Sequence, residues 1–276
     1  MRHVLTIAVM VAAIAASAPS LAATPEAIEI AHGEGLLKAA LVRPEGAGPF
    51  PAVVAMHDCG GIHNSSGAMT SRYRDWAQHL IKAGFVVLFP DSYGSRGQGS
   101  QCAVRRGSVR TDRERVADAN AARKWLQNQA YVQADKISLL GWANGGISVL
   151  WTVRPRAAAK DDTPDFRSAV ALYPGCGRLD STAWSARIPT LILIGAADDW
   201  TSPAKCEQMV AGARGRSARI SIVVYPGAYH DFDRANFPLH AIGGTSDAGL
   251  PEKGHVGTDA EARADSQKRV AEWLAR

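Results

Sequence analysis

The chain has 276 residues, a formal net charge of +5 and 46% apolar side chains, enough to bury the core of one large domain. Its positive charge forms no tract. Arg105, Arg106, Arg110, Arg113 and Arg115 are interrupted by acids and polar residues, which describes a solvated face and excludes a nucleic-acid footprint.

The first residues read as an export signal. Arg2 and His3 make a short polar start, Val4 to Ala16 is apolar, and Ser20-Leu21-Ala22 puts small residues where a signal peptidase reads. Residues 1–22 are therefore expected to be a secretory signal, with an apolar centre too short to stay in a bilayer. Cleavage-site residues follow directly, which disfavours a membrane anchor, and no later stretch has the length and apolarity of a transmembrane helix. The mature chain, residues 23–276, is expected to be one soluble domain, periplasmic or secreted. Removing Arg2 takes its charge from +5 to +4. Cys59, Cys102, Cys176 and Cys206 are even in number, which in an exported chain favours disulfides and leaves every pairing open. CxxC spacing is absent, and no Cys/His cluster points to zinc. Cys59 as a nucleophile is the weaker reading.

Strands and helices then alternate. Ala52 to Met56 is a short apolar run suited to a strand buried on both faces. Met69 to Lys82 has helical period, with Tyr73, Trp76, Leu80 and Ile81 on one face and Gly84 as its stop. Phe85 to Phe89 is the next strand. Thr111 to Glu114 reads as a capping box, followed by Val116, Ala119, Ala122 and Leu126 at helical spacing. Ile137 to Leu140 is a strand, and a helix starts directly after Gly141-Trp142-Ala143-Asn144-Gly145-Gly146. Ala169–Tyr173, Thr190–Ile194 and Ile220–Tyr225 complete the strands. The stretch from Asn236 to Gly257 reads as a long Gly-rich surface connection near the site. Thr258 to Glu261 reads as a second capping box, and the helix behind it turns Val270, Trp273 and Leu274 inward. This order predicts an α/β fold with a mostly parallel sheet and helices on both faces.

The most specific signal is Gly141-Trp142-Ala143-Asn144-Gly145. In an α/β-hydrolase, Gly-x-nucleophile-x-Gly forms a sharp strand-to-helix turn in which flanking side chains would collide. An ordinary Gly-rich turn would look the same. Its partners decide against that. Asp198 and Asp199 lie just past the end of one buried strand, and His230 just past the end of the next, in the order nucleophile, acid, histidine that this fold uses. His230 would carry the proton to and from the nucleophile, and Asp198 would fix its tautomer. Asp199 is the alternate acid, because spacing does not separate neighbours. Oxyanion donors are expected from the Asn144 amide and from the His57-Asp58-Cys59-Gly60-Gly61 loop, with Cys59 assigned and Asp58 next. His57 is read as a packing residue.

Five segments together resemble the dienelactone hydrolase family. They are His57 to Gly61, Pro90-Asp91-Ser92-Tyr93-Gly94-Ser95-Arg96-Gly97, the elbow, Asp198-Asp199-Trp200-Thr201, and Pro226-Gly227-Ala228-Tyr229-His230. The resemblance covers nearly the whole mature chain. It implies a single-domain α/β-hydrolase without a large lid, acting on small esters or lactones without a metal or organic cofactor. It also makes Arg96 a candidate contact for a substrate carboxylate or, equally, a loop salt bridge. Trp200 and Tyr229 become candidate pocket walls. Pairs Cys59–Cys102 and Cys176–Cys206 would suit it.

Family members carry Cys or Ser where this chain has Ala143. Alanine cannot attack a carbonyl, and Ser148 lies farther along the helix. Loss of a nucleophile costs on the order of a millionfold in turnover, so the chain is expected to bind esters and turn them over barely. Two explanations compete. Ala143 is a Ser→Ala inactivating change, which the retained acid, histidine and glycines favour, or the protein is a natural pseudoenzyme that binds a ligand or partner. The codon in the native gene separates them. A hydrolase using Asp at the elbow is excluded by Ala143 itself, and ligand spacing for a metal-dependent hydrolase is missing.

Overall fold

The structure is a computed structural model that describes residues 24–33, 35–104, 107–155, 163–243 and 253–276. The expected signal, Arg105 and Arg106 lie outside these residues. The chain runs β1 (Glu26–His32), β2 (Gly35–Val42), β3 (Phe50–Met56), α1 (Ser71–Lys82), β4 (Val86–Pro90), α2 (Glu114–Gln127), β5 (Val132–Trp142), α3 (Asn144–Thr152), β6 (Ala169–Leu172), α4 (Gly177–Asp180), β7 (Thr190–Gly195), α5 (Pro203–Ala213), β8 (Ile220–Tyr225), β9 (His240–Gly243), β10 (Lys253–Val256) and α6 (Ala260–Leu274).

Eight strands form one sheet in the order β1-β2-β4-β3-β5-β6-β7-β8. Pairing is parallel from β4 through β8, and antiparallel where β2 meets β1 and β4. β4, β6 and β7 are buried along their whole length, as continuous Val, Ile, Leu and Ala runs require of strands covered on both faces. The connection from β3 to β4 runs one way across the sheet, and those from β4 to β5, β5 to β6 and β7 to β8 run the other. Right-handed crossovers therefore put α1 on one face and α2, α3 and α5 on the opposite face. α6 packs beside α1. This is the α/β-hydrolase arrangement, and it gathers the C-terminal ends of β3, β5, β7 and β8 at one edge.

Several local expectations need correction. The edge hairpin β1–β2 was not among the expected strands. Asn236 to Gly257 is no plain connection either, because β9 and β10 pair within it, residues 244–252 lying outside the description. Thr111 is not the cap: α2 starts at Glu114 with Arg113 at its N-cap, and the Glu114 carboxylate accepts from the Arg110 N–H at 2.9 Å. The buried stripe of α2 holds Arg115 and Asp118 with Ala119, Ala122 and Leu126, while Val116 is half-buried. At α6 the cap is Asp259, which accepts from the Ala262 N–H at 2.9 Å, because the Thr258 hydroxyl is bound to the Arg234 carbonyl.

Candidate active site

Ala143 is the single residue between β5 and α3, with φ 45° and ψ −109°. A side chain is crowded at that positive φ, and such strain persists only where the surroundings impose it. Here the Ala143 N–H donates to the Leu172 carbonyl at 3.0 Å, and its carbonyl accepts from the Ile147 N–H at 2.9 Å. The flanking glycines are a packing requirement. A Cβ on Gly141 would stand 2.5 Å from the Gly145 carbonyl oxygen, and one on Gly145 only 2.0 Å from that of Met56. Ser148, a turn farther on, is buried and donates to the Asn144 carbonyl.

Ala143 lines a cavity of about 1170 Å³ together with Cys59, Asn144, Asp198, Trp200 and His230. Asp198 is 4% exposed and saturated with donors. Oδ2 accepts from His230 Nδ1 at 2.8 Å and from the Thr201 hydroxyl at 2.9 Å, and Oδ1 from the Trp200 and Thr201 N–H groups at 3.0 and 2.7 Å. The carboxylate requires a proton on Nδ1, so Nε2 is the basic nitrogen of His230. Burial alone would lower the His230 pKa. The charge and hydrogen bond of Asp198 outweigh it and hold the imidazole above the ordinary histidine value. Trp200 stacks on the ring at 5.4 Å and 28°, and Tyr173 packs on it at 4.4 Å. Asp199 turns away to the His255 N–H and Nδ1, both at 2.7 Å.

The loop after β3 forms the opposite wall. The Asp58 N–H donates to the Tyr73 hydroxyl at 2.8 Å, which removes it as a donor to a ligand. No group among the described residues accepts from the Cys59 N–H or the Asn144 N–H. Cys59–Cys102 and Cys176–Cys206 both form, and Gln101 N–H donates to the Cys59 carbonyl at 2.7 Å, so the loop is stapled. His57 is buried with its Nδ1–H on the Asp58 carbonyl and its Nε2 accepting from the Ser92 N–H. Burial and the neighbouring Arg115 charge keep its pKa well below the usual value, hence neutral.

Two expected pocket contacts are corrected. Arg96 is absent from the cavity wall; Asp118, fully buried on α2, takes its guanidinium in a two-pronged bond at 2.8 and 3.0 Å, so the salt bridge wins. Tyr229 is also absent from the wall, because its ring packs on His255. Other residues matter that the sequence did not single out. Thr201 fixes Asp198. Arg72 binds Asp58 at 2.6 Å and also Asp231, the neighbour of His230. Arg115 and Tyr93 both bond the Asn144 side chain. The available signal was a charge on an apolar stripe: Arg72 shares the face of Trp76, and Arg115 that of Ala119 and Ala122.

A family model described as the dienelactone hydrolase family matches residues 37–276. A Bradyrhizobium protein named a probable 2-oxo-3-(5-oxofuran-2-ylidene)propanoate lactonase is 29% identical over 73% of this chain and 80% of its own. Among solved structures, a Klebsiella pneumoniae protein assigned to the dienelactone hydrolases superposes with a TM-score of 0.70 at 21% identity, over 93% of this chain and 100% of the other. The dienelactone hydrolase of Anabaena variabilis gives 0.62 at 20% identity, over 92% and 98%. These two likenesses are of fold. The family model spans the chain from β2 through α6, elbow, acid and histidine included, and this chain belongs to the dienelactone hydrolase family.

Proposed function

We propose that the cavity is a serine-type ester or lactone hydrolase site whose nucleophile position, Ala143, carries no nucleophile. In this assignment His230 Nε2 is the general base, Asp198 orients it, and the Cys59 and Asn144 amides bind the carbonyl oxygen as it becomes an oxyanion. Trp200 walls the substrate. One observation carries the proposal: Ala143 holds the strained elbow backbone, at φ 45°, beside an intact Asp198–His230 pair. An alanine gains nothing from that conformation, whereas a serine there would present its hydroxyl to the cavity. The retained machinery supports a Ser→Ala inactive form over a natural pseudoenzyme. The lactone named for the Bradyrhizobium relative supports small lactones or esters as substrates. Two disulfides support export of one mature domain of residues 23–276, and among the described residues no helix is long and apolar enough to cross a membrane.

Ala143→Ser, compared with the chain as it stands on p-nitrophenyl acetate and a panel of small lactones, tests the proposal. Turnover is expected to rise by several orders of magnitude and to vanish again when His230→Ala is added. No gain on any substrate refutes the proposal and leaves the pseudoenzyme.

A further inference from the structure

We propose that Arg115 is a positioning residue of the oxyanion site, a buried cation whose counter-charge is the anion that forms between the Cys59 and Asn144 amides. This rests on the acyl-transfer assignment above. Arg115 is fully buried on the inner face of α2. One arm of its guanidinium donates to Asn144 Oδ1 and the other to the His57 carbonyl. A single planar fork thus ties the first residue of α3 to the first residue of the β3 loop, the two segments that supply the two amides. Tyr93 completes the clamp: its hydroxyl donates to the same Asn144 oxygen at 2.9 Å, and its ring lies 5.2 Å from the guanidinium carbon.

The charge balance makes this arrangement unusual. Among the described residues Arg115 makes no ion pair. The nearest acid along that loop, Asp58, is committed to Arg72 at 2.6 Å and to the Gly60 N–H at 2.8 Å. Among the described residues Arg115 Nε also has no hydrogen-bond partner, and the adjacent His57 is held neutral. Burying a cation without a counter-ion is costly in a resting protein. The cost is recovered if negative charge appears beside it during the reaction, where a preorganised positive field stabilises the tetrahedral intermediate more than the neutral ester. Lysine would keep the charge but reach only one of the two acceptors.

The test uses Ala143→Ser as parent, with Arg115→Met and Arg115→Lys added singly, on p-nitrophenyl acetate, with Tm recorded for each. Arg115→Met is expected to lower kcat by ~10²–10³-fold, the scale of losing one oxyanion donor, with KM changed less than about threefold because the neutral ester is held elsewhere. Arg115→Lys is expected to recover about tenfold of that loss. If Arg115→Met fails to fold, Arg115→Lys carries the test, with kcat down ~10–10²-fold at unchanged KM. The assignment is overturned if kcat matches the parent, or if kcat and KM deteriorate together in step with Tm. An inactive Ala143→Ser overturns the site assignment and this one with it. An active Ala143→Ser that is indifferent to Arg115 overturns this one alone.

Discussion

Gly145→Ala probes whether the elbow sits where it does because α3 starts in contact with β3. The added Cβ would lie 2.0 Å from the Met56 carbonyl oxygen and 2.5 Å from that of His57. Carbon and carbonyl oxygen normally approach no closer than about 3.3 Å, so an opening of more than ~1 Å is demanded. Both opposing atoms are backbone, and no rotamer change relieves them. Overpacking costs typically about 1–3 kcal/mol, and two backbone collisions put this case at the upper end. The helix preference of alanine over glycine returns about 1 kcal/mol at most, leaving a net loss of roughly 2 kcal/mol or more. With a urea slope of about 2 kcal/mol/M, the midpoint should fall by about 1 M. Gly212→Ala is the control: it lies in α5, its Cβ would meet nothing within 4 Å, and it should stabilise by about 0.5–1 kcal/mol. Equal midpoints for Gly145→Ala and the unaltered chain would refute the packing argument.

In an Ala143→Ser background, Asp198→Asn should reduce kcat by about 10⁴-fold, whereas Asp199→Asn, whose carboxylate binds the His255 N–H and ring, should change it little; steady-state kinetics separates the two acids. The raised pKa of His230 makes its bond to Asp198 stabilise the fold fully below the unfolded histidine value of about 6.5 and progressively less as pH climbs through the folded value. Urea midpoints of His230→Gln and the unaltered chain should therefore differ most at acid pH and converge on the alkaline side. A difference that grows with pH would contradict this. The Cys59–Cys102 bridge closes a separation of 43 residues, for which chain entropy assigns about 4 kcal/mol. The Cys59→Ser/Cys102→Ser pair should lower Tm by several degrees, checked by calorimetry.

What the sequence discloses depends on how far apart the deciding residues lie. β6 and β7 are legible because each is an unbroken apolar run buried on both faces. The elbow, acid and histidine are legible because each sits at a strand end in a fixed order. β1 is hard to read although Ile28 and Ile30 alternate, because its own Glu26 and Glu29 break up a short strand on a half-exposed edge. Asp198 and Asp199 are inseparable on paper, since their difference is a choice between His230 and His255, which are distant in sequence. Arg96 misleads for the same reason: its partner Asp118 stands on a helix 22 residues away. Arg72 and Arg115 were hidden because an arginine on an apolar stripe reads as an interruption until its acceptors, on other loops, are seen.

In the proposed assignment Ala143 occupies the nucleophile position of an otherwise assembled site. The most direct measurement is covalent labelling with diethyl p-nitrophenyl phosphate, located by peptide mass spectrometry. Ala143→Ser should take up one diethylphosphoryl group on residue 143, and neither the unaltered chain nor Ala143→Ser/His230→Ala should be labelled there. Failure of Ala143→Ser to be labelled, or labelling that is indifferent to His230, would contradict the account.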